Sequence, residues 1–153
     1  MNKWIFSIII LVFSTWIVHA QVTNPNIDSS LVKKYGGDDY GMKKFTLVIL
    51  STGDSVYTDE KFVSSCFRGH LDNIHKMVNS GDLIIAGPLG KNDDNYRGIF
   101  IFNHSDTEKI TSLLTDDPAI RYHILKPTMY SWYGSAALPA YLDIADKIWV
   151  KKP

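Results

Sequence analysis

The sequence predicts an α+β domain in which an antiparallel sheet carries two helices on one face. Three observations predict this class. A long amphipathic helix pattern separates the first two strand candidates, the second and third strand candidates follow each other without a helix, and a second helix pattern precedes the last strand. The predicted order is therefore β-α-β-β-α-β, which places both helices on the same side of the sheet.

The first half of the domain is predicted to form a strand, a long helix and a second strand. Residues 42–50 end in a continuous apolar run, as expected of a central strand. The helix is predicted over residues 58–80, with Thr58 as its N-cap, and Gly81 ends it before a second strand at residues 83–86. The apolar positions of the helix recur at steps of three or four and predict one buried face: Val63, Phe67, Leu71, Ile74 and Val78.

The second half supplies the remaining strands and a shorter helix. Residues 97–103 read as the third strand, and Ser105 or Asp106 is the expected N-cap of the second helix. That helix should end at residues 116–118, because the residue before a proline avoids the helical region. Residues 120–132 are the fourth strand candidate, with an interruption at residues 126–127 where proline disfavours pairing. The complete order is the ferredoxin-like arrangement.

The sheet face away from the two helices needs a cover, and the sequence offers two. The C-terminal tail, residues 134–153, carries apolar side chains and is expected to pack on the domain. The alternative is a second copy of the chain, since two-fold homodimers are the commonest oligomers. We expect a homodimer that forms an α+β barrel from two sheets.

The N-terminal residues have the pattern of a secretory signal. Lys3 precedes an apolar run of about 15 residues, which is shorter than the roughly 20 needed to span a bilayer, and the run closes with small Ala20. Residues 1–20 are therefore predicted to be a cleaved signal peptide, and residues 21–41 a polar spacer before a domain at residues 42–133. We expect an exported protein, periplasmic or secreted; an uncleaved N-terminal anchor is the alternative.

The composition argues against several kinds of partner. The chain has 16 Lys and Arg against 16 Asp and Glu, and loss of Lys3 with the signal leaves a formal net charge of −1. The sequence has no basic stripe of the kind that binds nucleic acid, so we expect no nucleic-acid partner. We also expect no membrane partner for the processed chain. Cys66, the single cysteine, cannot form an intrachain disulfide and is predicted to lie in the core.

A histidine and a carboxylate are the candidates for proton-transfer chemistry. His70 lies on the long helix at the edge of its predicted buried face, and Asp116 and Asp117 lie at the exit of the second helix. An imidazole takes up and returns a proton near neutral pH, and a carboxylate orients it and stabilises its charged form. Two structural roles remain open: His70 bonded to a backbone carbonyl, and Asp117 bonded to backbone amides.

Four further residues are predicted to line a pocket beside these groups. Gly87 permits close backbone approach and Pro88 fixes a turn, so both shape a wall. Arg97 and Trp132 are the expected side chains of the lining, although each also suits an ordinary surface or a dimer contact.

The histidines do not predict a metal site. His70 and His75 are five residues apart rather than four, and the sequence has neither CxxC nor HExxH. His75 is expected to be solvated, and the sequence suggests no partner for His104 or His123. Neither a glycine-rich phosphate loop nor GxSxG occurs, so no cofactor is expected.

Several short motifs, in order, resemble the YCII-related domain family. They are Gly69-His70-Leu71, the segment 81–88 (Gly-Asp-Leu-Ile-Ile-Ala-Gly-Pro), Gly98 at the next strand, and the helix exit at residues 116–118. The resemblance implies a dimeric ferredoxin-like α+β barrel with a histidine and an aspartate in a pocket, matched here by His70 and Asp117. It selects Asp117 over Asp116. One characterised branch of that family dehydrochlorinates a ring compound.

The leading hypothesis is a small exported enzyme that transfers a proton on a small organic substrate. His70 would act as the base and Asp117 would orient it, and elimination or isomerisation suits a base that has no nucleophile or cofactor beside it. The export signal and the tail depart from the family's short members, so the family's substrate does not carry over. The alternatives are a non-catalytic module that binds a small ligand and a purely structural dimeric domain.

Overall fold

The structure of the protein is a computed structural model that describes residues 24–145 and 147–150. The predicted signal at residues 1–20 therefore lies outside the described residues. The elements are α1 (Ser29–Tyr35), β1 (Met42–Thr52), α2 (Glu60–Asn79), β2 (Leu83–Pro88), β3 (Tyr96–Phe102), α3 (Thr107–Thr115), α4 (Pro118–Arg121), β4 (Leu125–Ser135), a 3₁₀ helix (Leu138–Tyr141) and α5 (Leu142–Ala145).

The four strands form one antiparallel sheet in the order β2-β3-β1-β4. β1 pairs with β4 along its whole length, from Met42 opposite Ser135 to Thr52 opposite Leu125. β3 lies between β1 and β2, so α2 connects two strands that do not touch, as in a split β-α-β unit. This topology is the ferredoxin-like α+β fold, and it confirms the fold class that the sequence predicts.

The core lies between the sheet and the helices. Val48 and Leu50 of β1 and Phe100 and Phe102 of β3 are at most 2% exposed, and successive strand residues point to opposite faces. The same core cluster takes in helical and strand-end side chains: Met77, Leu83, Ile110, Leu114, Ala119 and Leu125. Cys66 is also buried, as predicted.

The long helix α2 differs from the prediction in its N-cap residue and in the side that it buries. Asp59, not Thr58, is the N-cap, and its carboxylate accepts hydrogen bonds from the amides of Lys61 and Phe62. The buried positions of α2 are Cys66, Asn73 and Met77 rather than the predicted apolar stripe. Leu71, on that stripe, is 48% exposed. The stripe lines a cavity, whereas the side with Asn73 faces α3, where the Asn73 amide donates a hydrogen bond to the Leu113 carbonyl.

The fourth strand starts later than predicted and contains its proline. Residues 118–121 form α4, and β4 begins only at Leu125. Pro127 pairs opposite Leu50 without interrupting the strand. β4 is an edge strand, where a residue without an amide hydrogen removes no inner ladder bond.

The chain segments before β1 and after β4 form short helices that are not predicted from the sequence. α1 lies within the predicted spacer, and the Tyr133 hydroxyl donates to Asp38 just after it. The tail forms the 3₁₀ helix and α5. No helix within the described part of the chain is long and apolar enough to cross a membrane.

Candidate functional site

A cavity of about 500 Å³ lies between α2, strands β2 and β3, and the C-terminal tail. It lies on the helix side of the sheet, because Leu50 and Phe100 contribute to both the core and the cavity. Most of its walls are apolar. The side chains and backbone that line it belong to Leu50, Phe67, His70, Leu71, Ile74, His75, Val78, Ile84, Ala86, Gly87, Pro88, Arg97, Gly98, Phe100, Leu125, Tyr141, Leu142, Ala145 and Trp149.

His70 and Asp117 are in direct contact at the wall of this cavity. His70 Nδ1 lies 2.5 Å from Asp117 Oδ2. The Asp117 side chain is fully buried, whereas 12% of the His70 side chain remains exposed. A buried carboxylate needs hydrogen-bonded partners, and the imidazole supplies one of them. Because Nδ1 is directed to Asp117, Nε2 is the ring nitrogen that is left for a ligand.

The other oxygen of Asp117 fixes the carboxylate to the backbone. Asp117 is the N-cap of α4, and its Oδ1 accepts hydrogen bonds from Ala119 N at 2.9 Å and Ile120 N at 3.4 Å. Pro118 occupies the first turn of α4, a position where its missing amide hydrogen costs nothing. The backbone role that the sequence left open for Asp117 and its contact with His70 are therefore both present, one on each oxygen.

A glycine lets α2 approach α4 closely enough for this contact. A Cβ atom on Gly69 would lie only 2.6 Å from Pro118 Cγ. The residue before His70 and the residue after Asp117 therefore touch. This close approach of two distant segments brings the His70 and Asp117 side chains within contact distance.

Two aromatic rings hold the His70 imidazole in place. Phe100 stacks on it with ring centroids 5.9 Å apart, and Phe67 meets it edge-on at 6.3 Å. Both phenylalanines also line the cavity. The imidazole is thus oriented by one hydrogen bond and two apolar contacts, and the cavity beside it has mostly apolar walls.

The predicted lining residues divide into two groups. Gly87, Pro88 and Arg97 lie at the cavity, with the exposed Arg97 at its rim. The placement of Trp132 in the pocket is wrong. Its ring packs 5.4 Å from the Phe45 ring and covers Gly134, and strand alternation directs Phe45 to the face opposite the helices.

Asp116, the neighbouring carboxylate, points away from the cavity. It accepts a hydrogen bond from Lys76 Nζ at 2.8 Å on the exposed surface, and that contact lowers the pKa of the Asp116 carboxyl. The two adjacent aspartates therefore differ in their surroundings, because Asp117 is buried against His70 and Asp116 is exposed beside Lys76.

Sequence reasoning missed His75, and it predicted that the tail packs on the domain without fixing the surface. His75 lines the cavity and is half-buried, so the expectation of a solvated side chain is wrong. Tyr141, Leu142 and Trp149 line the opposite wall. The tail residues therefore lie on the helix side rather than over the opposite sheet face. The helical stripe of Phe67, Leu71 and Ile74 carried the signal for His75, because His75 borders that stripe.

A second histidine–aspartate contact occurs away from the cavity. His104 Nε2 lies 2.5 Å and Lys109 Nζ 2.6 Å from Asp82 Oδ1, and Ser80 Oγ donates to Asp82 Oδ2 at 2.6 Å. Burial acts to raise the pKa of Asp82, but the hydrogen bonds from Lys109, Ser80 and His104 together lower it to about 2. His104 thus has the partner that the sequence did not reveal, in a cluster that joins β2 to the loop before α3.

Within residues 24–145 and 147–150, no three His, Cys, Asp or Glu side chains are grouped to hold a metal ion.

Comparison with known proteins gives a structural likeness but no match of sequence family. No family model matches the chain, and no curated protein matches it. The chain is similar to the 5-chloro-2-hydroxyhydroquinone dehydrochlorinase of Burkholderia phenoliruptrix, solved in complex with 2,5-dihydroxybenzoquinone. The likeness has 14% sequence identity and a TM-score of 0.40, and it covers 57% of this chain and 92% of that chain. At this level it assigns no residue and no activity.

Proposed function

We propose that the protein is a small exported enzyme that moves a proton on a small organic substrate, with His70 as the base. The observation that carries the proposal is the 2.5 Å contact between His70 and a fully buried Asp117 beside a cavity of about 500 Å³. A base needs a fixed tautomer, a free lone pair and room for a substrate, and this arrangement offers all three.

The chemistry follows from the two ring nitrogens. Asp117 accepts the hydrogen bond from Nδ1–H, so the Nε2 lone pair is free to take a proton from an acidic C–H bond of the substrate. In an elimination, the C–H electron pair forms a double bond while a leaving group departs with its own pair. In an isomerisation, the imidazolium returns the proton at another carbon. The Asp117 carboxylate stabilises the imidazolium in both cases, and neither reaction consumes an oxidant.

We also propose membership of the YCII-related family. The ordered motifs around His70, Gly87 and Asp117 support it, and the contact between the two residues that the family pattern matches is consistent with it. Dehydrochlorination in that family is an elimination, the reaction type to which a lone base is suited. Export belongs to the same proposal, and N-terminal mass determination of the protein secreted by its host tests whether the chain begins at Gln21.

The experiment is a solvent-exchange and elimination screen. Small carbonyl compounds and chlorinated dihydroxybenzenes are incubated with the protein in D₂O, and deuterium uptake and chloride release are followed. We expect at least one compound to react and His70→Gln to abolish the reaction while circular dichroism stays unchanged. A matched variant, His123→Asn, changes an exposed histidine outside the cavity and should react normally. Activity retained in His70→Gln would refute the assignment.

A non-catalytic binding module is the second candidate. The specific observation in its favour is that Asp117 already has a structural role as the N-cap of α4, and the cavity walls are mostly apolar. In that case compounds bind in the cavity without turnover, and His70→Gln lowers affinity only.

We propose further that a second copy of the chain covers the sheet face opposite the helices. Strand alternation places Leu47, Ile49, Ile99 and Ile101 on that face, and all four side chains are partly exposed. The tail residues at the cavity lie on the other side. An apolar sheet face of this kind is typical of a subunit interface.

A further inference from the structure

We propose that His75 is the second ligand-binding residue of the cavity, and that the ligand is a ring-sized molecule with an apolar body and a hydrogen-bonding oxygen at the end away from His70. The inference deepens the proposed function and rests on the cavity's being the substrate site. The cavity lining contains few polar side chains, and His70 and His75 are the two that α2 contributes.

The helix geometry places the two imidazoles at opposite edges of one wall. Successive residues of an α-helix advance by about 100°, so residues five apart differ by roughly 140° in direction and about 9 Å in Cα position. Phe67, Ile74 and Val78 fill the arc between them and line the same cavity. A ligand on this wall therefore lies over an apolar strip with an imidazole at either end.

The two histidines differ in their hydrogen bonding. His70 is held by Asp117 and by the stacked Phe100 ring. His75 is half-buried, yet within the part of the chain that the structure describes it makes neither a hydrogen bond nor an ion pair. A half-buried polar ring without a protein partner loses part of its hydration, and a ligand oxygen would restore it.

The chemical class follows from this pattern. The apolar strip favours a hydrocarbon body, such as a ring, and a volume of about 500 Å³ accommodates a small molecule. His75 offers an N–H donor and an acceptor nitrogen, which suit a hydroxyl or a carbonyl oxygen. His70 Nε2 then faces the reacting C–H at the other end. His75 is thus a specificity residue, and His70 remains the base.

A series of three probes tests the assignment. Toluene, p-cresol and 4-hydroxybenzyl alcohol share one ring and carry no oxygen, one oxygen and two oxygens. Their affinities are measured by calorimetry and NMR titration for the wild-type protein, His75→Leu, His75→Gln and the control His123→Asn. We expect wild-type affinity to rise along the series.

The expected pattern separates a polar contact from simple wall packing. His75→Leu should weaken 4-hydroxybenzyl alcohol about fivefold to tenfold, the value of one hydrogen bond, and leave toluene unchanged. His75→Gln should recover part of the loss, and His123→Asn should match the wild type. Equal loss for all three probes, no loss for any, or no binding to the wild type at millimolar concentration would each overturn the proposal.

A direct measurement covers the case in which His75→Leu fails to fold. The ring nitrogen resonances of His75 in the wild-type protein should shift when 4-hydroxybenzyl alcohol is added and stay in place with toluene. His75 resonances whose chemical shifts change with neither probe would contradict the assignment. If His70→Gln abolishes turnover in the screen while the His75 tests fail, the proposed function stands and only the role of His75 is rejected.

Discussion

Asp117 uses its two carboxylate oxygens for different elements of the fold. Oδ1 caps α4, and Oδ2 contacts His70 on α2. The residue that contacts the proposed base is therefore itself positioned by a helix N-terminus, so little freedom is left to either side chain. This double role explains why a buried carboxylate in an apolar region is stable.

Asparagine at position 117 separates the two roles. We expect Asp117→Asn to retain the cap, because asparagine is an equally good N-cap, and to lower stability by about 1 kcal/mol or less. The turnover of the substrate found in the screen should fall by at least about tenfold, because the imidazolium loses its carboxylate. Urea unfolding and initial rates measure the two effects.

The adjacent aspartate provides the matched control. Asp116→Asn removes a carboxylate that is exposed and paired with Lys76, so we expect wild-type rates and near wild-type stability. Equal rate losses in the two variants would indicate a general electrostatic effect rather than a specific contact.

Gly69 is required by the approach of α2 to α4. Alanine normally stabilises a helix interior by about 1 kcal/mol relative to glycine. In Gly69→Ala, however, the added Cβ meets the rigid ring of Pro118 at 2.6 Å, so we expect a net loss of about 1–2 kcal/mol and lower activity. Gly90→Ala, at a loop position with open space around it, should be nearly neutral in thermal unfolding. A stabilised Gly69→Ala protein would contradict this account.

The Asp82 carboxylate is expected to contribute to the free energy of unfolding by an amount that depends on pH. Its pKa is about 2 in the folded protein against an ordinary value of 3.8, so the contribution is complete above pH 4 and is lost as the pH falls through 2. We expect Asp82→Asn to cost about 1 kcal/mol at pH 7, after allowance for solvent screening at the half-exposed Lys109. The difference from wild type should shrink by about half at pH 3. Urea titrations at the two pH values measure it, and a constant difference would refute it.

At the scale of elements, one side of α2 is buried in the core and another side lines the cavity. The side with Cys66, Asn73 and Met77 is buried and faces α3 through the hydrogen bond from Asn73 to the Leu113 carbonyl, whereas the apolar stripe faces the cavity. Periodicity identified the helix and its apolar stripe but not what covers the stripe. The partner is the tail, whose 3₁₀ helix and α5 place Tyr141 and Leu142 at the cavity.

A charge on the tail should separate it from α2. We expect Leu142→Asp to lower the free energy of unfolding by about 1–2 kcal/mol, because it sets a carboxylate against apolar walls. Binding of the dye ANS should increase as the stripe on α2 becomes exposed. Ile144→Asp alters an exposed neighbour that does not line the cavity and should change neither quantity. Identical behaviour of the two variants would show that the tail does not cover the stripe.

At the scale of the whole molecule, the sheet separates two apolar surfaces with different covers. The helix side contains the core, the cavity and the tail, whereas the other side presents partly exposed leucine and isoleucine side chains. The proposed dimer buries this second surface and leaves the two cavities on the outer sides of the paired sheets.

A lysine in the middle of that face tests the dimer. We expect the wild-type protein to have twice the mass of one chain by light scattering, and Ile101→Lys to be a folded monomer, because a buried unpaired charge opposes association. Val56→Lys, at a position that is 92% exposed, should remain dimeric. A monomeric wild-type protein would refute the proposal.

The sequence by itself determined the fold class, the order of the four strands and the two longer helices, and the residue types of the proposed proton-transfer pair. Local signals suffice for these, since hydrophobic period, caps and glycine stops act within a few residues. Tertiary structure alone decided that Trp132 lies on the far face, that His75 lines the cavity and that the tail forms one of its walls. Each of these depends on contacts between distant segments, such as Gly69 with Pro118 or β2 with the 3₁₀ helix, and packing of that kind leaves no periodic signal in the sequence.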